Sequence, residues 1–294
     1  MTTRRCMLLF PLLLWTIFAV WWPHGDSRLD AHIPLYITAD YSADPAVKTV
    51  VRVLENKAAQ TELHFARSRP LTCAVVGNSG NLRGSAYGAL IDQHDYIFRM
   101  NTAPTKGFER DVGARTTHHV MHSNQPHADD FGPGTITILV IDDFNVDAAQ
   151  YRKNTTLYLE YLAGEPVDLP WNSASFDNDF PDNVFALSGG VRIMHPAFID
   201  EINNRWFRPG TAGNIPFSAY PSTGFKTVIL ALRLCDKVDV FGFGANKTAG
   251  TWDHYFDAGD ALNTWPALHR ADYQEQFLDD LERRELIKIY RGKR

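Results

Sequence analysis

The chain is 294 residues long, 45% hydrophobic and 21% charged, enough apolar material for one sizeable core but short of two full domains. Its formal net charge of -5 excludes a general polyanion binder, because counterion-release affinity needs clustered lysine and arginine. Nucleic acid is thereby removed as a partner.

From the N-terminus, Arg4 and Arg5 precede an apolar run from Cys6 to Trp22, interrupted by Pro11 and Thr16. As a helix this run rises roughly 25 Å, near the lower limit for spanning a bilayer. Two basic residues ahead of it, and none after it until Arg28, orient the N-terminus to the cytosol. A cleaved signal peptide is the competing reading, but Trp21-Trp22-Pro23 offers no small-residue cleavage site directly after the run. Residues 1–24 therefore read as a cytoplasmic tail and signal-anchor transmembrane helix of type II topology. Residues 25–66 read as a short stem, with one amphipathic pattern from Ala46 to Ala59 that places Val47, Val50, Val51 and Leu54 on one helical face.

Within residues 67–294, apolar runs of strand length alternate with helical patterns. Cys73–Val76 reads as a buried strand, Asn81–Asp92 as a helix, and Tyr96–Met100 and Ile136–Ile141 as strands. Ser222 caps a helix reaching about Leu234, Val238–Phe241 is the next strand, Gln274–Glu285 a helix and Leu286–Tyr290 a last strand. This order predicts an α/β fold with a mainly parallel sheet flanked by helices, whose ligands sit at the carboxyl ends of strands. Of three cysteines, Cys6 lies in the apolar run, leaving Cys73 and Cys235 in the domain. In an oxidising compartment such a pair is expected to bridge, whereas in cytosol both would be small apolar core residues. A bridge would close a loop of about 160 residues, worth about 5 kcal/mol in the simplest entropic account. The sequons at Asn154 and Asn246 fit a lumenal domain and are candidate glycosylation sites.

The chemistry concentrates in a few segments. The strand ending at Val76 delivers the chain into Gly77-Asn78-Ser79-Gly80 ahead of a predicted helix, a turn suited to an anion, with Asn78, Ser79 and Asn81 as added hydrogen-bonding groups. Glycines at 77, 80 and 84 do not spell a dinucleotide fingerprint, and no Gly-Lys-Ser/Thr follows to make a P-loop. In Tyr220-Pro-Ser-Thr-Gly224 the proline favours an extended approach, Ser222 caps the helix and Gly224 permits close approach of a ligand to the backbone. His254 and Tyr255 stand side by side, and both can donate to a phosphate. Asp177-Asn178-Asp179 spells a metal-binding pattern but sits among polar turn residues, and reads as a solvated loop.

Four blocks taken together resemble the large, small, third and very small motifs of the eukaryotic sialyltransferase family. They are Cys73 to His119, with Phe98-Arg-Met-Asn101 and Asp111-Val-Gly-Ala-Arg-Thr-Thr-His-His119; Tyr220 to Ala245, with Cys235-Asp-Lys-Val-Asp-Val-Phe-Gly-Phe-Gly244; Trp252-Asp-His-Tyr-Phe256; and His269-Arg-Ala-Asp-Tyr-Gln274. The details are most similar to the branch making α2,3 linkages on the galactose of Galβ1,3GalNAc. Departures from the family pattern are His122 in place of a tyrosine, Asp253, Phe256, Gln274 in place of glutamate, and missing stem cysteines.

The resemblance implies a single Rossmann-like domain of the GT-A-variant kind and an inverting transfer of sialic acid from CMP-sialic acid to a galactose hydroxyl on glycoproteins or glycolipids. It implies that Asn78, Ser79, Asn101, Ser222, Thr223, Gly224, Gly242, Phe243, Gly244 and Trp252 hold the donor. Tyr220 and Thr223 face the acceptor, His254 and Tyr255 stabilise the leaving phosphate, and His269 is the general base. A Cys73–Cys235 bridge would clamp the two nucleotide-binding elements together. No cofactor and no metal is implied, since a nucleoside monophosphate leaving group has no second phosphate for a cation to bridge, and a Golgi membrane location follows. Two other readings compete: a metal-dependent transferase using a nucleotide-diphosphate sugar through Asp177 and Asp179, which EDTA would stop, and a catalytically weak CMP- or glycan-binding membrane protein suggested by Gln274.

Overall fold

Seven strands form one sheet in which every neighbouring pair is parallel: β1 (Thr72–Val76), β2 (Tyr96–Met100), β3 (His118–His122), β4 (Ile136–Val140), β5 (Val191–Ile193), β6 (Lys237–Phe241) and β7 (Lys288–Tyr290). The computed structural model describes residues 33–63, 69–122, 132–141, 148–163, 189–207, 220–244, 254–256 and 269–292. Among these residues no helix is long and apolar enough to cross a membrane. The Cys6–Trp22 run, Asp177, Asp179, Asn246 and Trp252 lie outside them.

Strand order across the sheet is β5-β4-β3-β2-β1-β6-β7, so the winding reverses between β1 and β6. In an open parallel sheet that reversal leaves a crevice at the carboxyl ends of the two strands, where ligands bind. β1, β2 and β4 read as near-continuous apolar runs because both faces are covered by packed elements. Helix α6 (Thr223–Leu234) lies against β1, β2, β3 and β6, with Val228, Ile229 and Leu230 fully buried. The other side of β1 presents Ala74 and Val76 to Leu82, Ile91, Val112, Phe241 and Tyr255. Cys73 in β1 and Cys235 at the end of α6 form a disulfide with Cα atoms 6.1 Å apart, joining the strands on either side of the reversal.

Two expectations change, and one strand had not been expected. The segment 81–92 is not one helix: a 3-10 turn at Gly80–Leu82 is followed by the short α2 (Gly88–Ile91). Gly84 and Ala86 adopt left-handed backbone between them, and Asp111 accepts from both their N–H groups at 2.6 and 2.9 Å, which replaces the helical ladder. The stem also ends much earlier than residue 66. Helix α1 (Pro45–Leu63) buries Val47, Val50, Val51 and Leu54 against Met121, Leu139, Ile141, Tyr158, Leu159, Val191 and Ile193, so its amphipathic face completes the core. Ile37 N–H donates to Ile193 O at 2.9 Å, and His195 N–H to Leu35 O at 2.9 Å, tying the preceding chain to the β5 edge. Finally, β3 is a central strand made of His118-His119-Val120-Met121-His122, all buried. Burial pushes the His118 imidazole down to about 3, with the Arg192 charge adding to the effect, so it is neutral and stacks on Phe98 at 4.6 Å.

The remaining helices are α3 (Glu109–Val112), α4 (Ala148–Leu162), α5 (Pro196–Glu201), which runs on into a π turn at Ile202–Phe207, and α7 (Ala271–Arg283). Asn154 lies inside α4 with 1% exposure, leaving its amide no room for a glycan in the folded chain.

Candidate active site

The crevice between β1 and β6 is lined by two glycine turns pressed together. A side chain on Gly77 would overlap the Gly242 carbonyl oxygen, and one on Gly242, at φ +69°, would lie 2.7 Å from Gly77 O. Gly77 N–H donates to Phe241 O at 2.7 Å and Ser79 N–H to Gly242 O at 3.0 Å. This alters the expected anion turn: those two N–H groups are engaged, and the element that follows is a single 3-10 turn with no helix dipole to offer. The Ser79 hydroxyl, expected on the donor, donates to Gly244 O at 2.8 Å, and Asn81 Nδ2 donates to Phe243 O and Gly244 O, both at 2.9 Å. Ser79 and Asn81 thus build the wall of the crevice. Asn78 differs, because its buried Oδ1 has no hydrogen-bond partner among the described residues. An orphaned buried acceptor costs about 1–3 kcal/mol and calls for a ligand donor.

Asn101 follows β2 in left-handed backbone at φ +50°. Its Oδ1 accepts from His122 N–H at 3.1 Å and its carbonyl from His119 Nε2 at 2.8 Å, which fixes the side chain while its NH2 group carries no hydrogen bond among the described residues. The His119 imidazole and the His122 backbone therefore hold Asn101 in place.

Opposite stands the start of α6. Ser222 Oγ accepts from Phe225 N–H at 3.1 Å, as an N-cap does, and donates to Gln274 Oε1 at 2.6 Å. Its proton is therefore directed to α7 and not to a donor substrate. Gly224 is covered by Phe243, whose ring atoms would lie 3.0 and 3.2 Å from a β-carbon there. The same ring borders Gly77, so Phe243 is the wedge that closes the two turns on each other, and Gly224 makes space for that ring. Thr223, the first residue of α6, is half-buried at the same rim.

His254 and Tyr255, expected to act together, diverge. The His254 and Phe256 rings stack at 4.9 Å and 6°, while Tyr255 between them is buried and packs edge-on to Phe108 at 5.1 Å. The Tyr255 hydroxyl donates to Pro104 O at 2.5 Å and its N–H to Asn78 O at 2.8 Å. Tyr255 thus anchors the segment, and His254 alone of the pair stays at the rim next to Asn78. Arg83, which no motif signalled, holds this anchor by donating from Nε to Tyr255 O at 2.5 Å.

His269 sits beside the α6 cap. Its ring meets Tyr220 edge-on at 4.6 Å, and Nδ1 lies 3.2 Å from Tyr220 O. A carbonyl only accepts, so Nδ1 carries the proton and the lone pair is on Nε2, the tautomer a base needs. Gln274 Nε2 donates to the His269 carbonyl. Next in the chain, Arg270 pairs with Asp272 at 2.9 Å, and the guanidinium hydrogen bonds hold the Asp272 carboxyl below its usual range. The structure thus links Asn78 to Tyr255 and Ser79 to Gly242 and Gly244 at the strand turns, and Ser222 to His269 through Gln274 across from them, while Asn101 is held by β3.

Comparison with known proteins places the chain among sialyltransferases. The chain is 35% identical over 232 residues to CMP-N-acetylneuraminate-beta-galactosamide-alpha-2,3-sialyltransferase 2 of Mus musculus, covering 75% of this chain and 57% of that protein. It is 32% identical over 231 residues to the corresponding alpha-2,3-sialyltransferase 1 of Homo sapiens, covering 75% and 58%. The chain thus spans little more than half the length of these relatives. Among solved structures it is similar to a mammalian sialyltransferase crystallised with Gal-beta-1-3GalNAc-ortho-nitrophenol, at a TM-score of 0.61 and 27% identity, covering 91% of this chain and 94% of that one. The profile of glycosyltransferase family 29 (sialyltransferase) matches residues 27–286, and the chain belongs to that family.

Proposed function

We propose that this chain is an inverting sialyltransferase that moves sialic acid from CMP-sialic acid to the galactose 3-hydroxyl of Galβ1,3GalNAc-type glycans, with His269 as base and without a metal ion. Family membership supports the donor class. Linkage and acceptor are supported by relatives named as alpha-2,3-sialyltransferases and by the neighbour crystallised with a Gal-beta-1-3GalNAc compound.

The observation that carries the chemistry is the His269 Nδ1 contact with Tyr220 O, which sets the imidazole beside the α6 cap in the tautomer whose lone pair is on Nε2. Nε2 takes the proton of the acceptor hydroxyl as its oxygen attacks the anomeric carbon of sialic acid. The bond from that carbon to the phosphate oxygen breaks, its electron pair leaves with CMP, and the configuration inverts. His254 and the Thr223 and Gly224 N–H groups at the start of α6 meet the charge growing on the phosphate, while Asn78 Oδ1 and the Asn101 NH2 hold the donor. Tyr220 and Thr223 border the acceptor side. The N-terminal run makes the protein a single-pass type II Golgi membrane protein with this domain in the lumen.

The test incubates the full chain with CMP-sialic acid and a panel of galactosides, with and without EDTA, and reads the product linkage. An α2,3 product on Galβ1,3GalNAc, formed equally with EDTA, supports the reading. No product on any acceptor, or turnover lost to EDTA, contradicts it.

A further inference from the structure

His269 stands just outside α7, joined to it by Arg270 in left-handed backbone at φ +48° with no side-chain cap. A non-glycine residue in that conformation costs about 1–2 kcal/mol and persists only where neighbouring contacts determine the chain's path. Two such contacts are visible at His269. Its ring is bonded to Tyr220 O, and its carbonyl accepts from Gln274 Nε2. Gln274 is buried, at 8% exposure, and its other end, Oε1, accepts from Ser222 Oγ at 2.6 Å. Ser222 Oγ in turn caps α6 through Phe225 N–H. One amide therefore links the cap of the helix at the donor side to the backbone of the residue read as the base.

The link depends on an amide. Gln274 must accept at one end and donate at the other, because Ser222 supplies a proton and the His269 carbonyl only accepts. An ionised carboxylate of the same length has no proton for that carbonyl and would set two acceptors against each other; only its acid form could make both bonds. Alanine makes neither.

We infer that Gln274 is a positioning residue for the transfer reaction, holding His269 at a fixed distance from the α6 cap through a neutral relay, Ser222 Oγ–H to Gln274 Oε1 and Gln274 Nε2–H to His269 O. This rests on the reading of His269 as the base. Gln274 touches neither the donor nor the reacting atoms; it acts on kcat through the placement of the imidazole. The titratable groups next to the relay are Tyr220 and His269 on the approaches to the two helices, Arg270 at the N-cap of α7, and Asp272, Tyr273 and Glu275 along it. All of them are common to the Q274A and Q274E proteins, so the difference between those two pH profiles isolates position 274.

The experiment compares the full chain with its Q274A, Q274E and H269A variants, measuring kcat and both KM values from about pH 5.5 to about pH 8 and CMP affinity by calorimetry. Q274A is expected to lose about tenfold or more in kcat at every pH, with CMP affinity changed by less than about threefold. Q274E is expected to lose about as much near pH 8, but its kcat relative to wild type climbs by about fivefold or more toward pH 5.5 as the carboxyl gains its proton. A Q274A kcat within about twofold of wild type, or a Q274E ratio that does not climb on acidification, overturns the inference. Retained transfer in H269A overturns the base assignment and the relay with it. An inactive H269A beside a fully active Q274A overturns the relay alone.

Discussion

At the β1–β6 reversal the contacts are backbone on backbone, Gly77 against Gly242 and Ser79 N–H on Gly242 O, stapled from behind by Cys73–Cys235. Across the crevice, His269 is held by side chains reaching from elsewhere in the chain, through Gln274, Ser222 and Tyr220. The first construction rests mainly on fixed backbone and suits the part of a substrate that is the same in every turnover. The second can be altered by single side-chain changes that leave the fold intact. Mutations on the cradle side should therefore register first as lost stability, and those on the base side as lost turnover.

Breaking the staple gives the largest stability effect. Cys235→Ser is expected to cost about 2–5 kcal/mol in denaturant unfolding, with CMP affinity falling as β1 and α6 loosen. Unchanged stability would mean that the bridge contributes nothing to the cradle. Gly77→Ala should follow, at about 1–3 kcal/mol, because a methyl group there overlaps the fixed Gly242 carbonyl and no side chain can move aside. A protein that keeps both its midpoint and its CMP affinity would show that the two turns are not in contact.

The third segment offers a sharper contrast between neighbours. Tyr255→Phe removes the bond to Pro104 O and should lower stability by about 1 kcal/mol, while chemistry in the CMP-bound protein proceeds as before. His254→Ala should do the opposite, lowering kcat with an unchanged unfolding midpoint. A kcat loss in Tyr255→Phe equal to that in His254→Ala would restore the phenol to the phosphate site.

A separate effect concerns acid. His118 stays neutral in the fold down to about pH 3, whereas an unfolded chain takes up a proton near pH 6.5. The unfolded state therefore binds more protons between those values, and stability falls as pH drops below about 6.5, by at most about 1.4 kcal/mol per pH unit from this group. His118→Phe should flatten that slope in chemical unfolding between about pH 6.5 and about pH 4.5. His94 works in the other sense. Burial alone would lower it, but Asp239 and the carbonyls of Ile91 and Leu90 raise it, so its contribution is complete at low pH and fades as pH rises through its elevated value.

The strands with apolar runs were legible because a strand buried on both faces needs little else, and β1, β2, β4 and β6 follow the reading within a residue or two. β3 was not, since a strand with three histidines in five residues has no apolar signature; only the burial that neutralises His118 and the Asn101 contact of His119 explain it. The predicted helix at 81–92 failed because its break is made by Asp111, distant in sequence, and the stem was overextended because the partners of α1 lie on strands far along the chain. At the site, the motif residues themselves were readable. Their division of labour was not: whether Ser222 faces a donor or Gln274, or Tyr255 a phosphate or Pro104, depends on pairings across 52 and 151 residues.

The central claim is that one imidazole, His269, removes the acceptor proton at a cradle that binds CMP without it. Transfer rate and CMP affinity measured side by side on His269→Ala test this most directly. The account expects transfer to fall by at least about a hundredfold with CMP affinity within about threefold of wild type. Turnover close to wild type would contradict it.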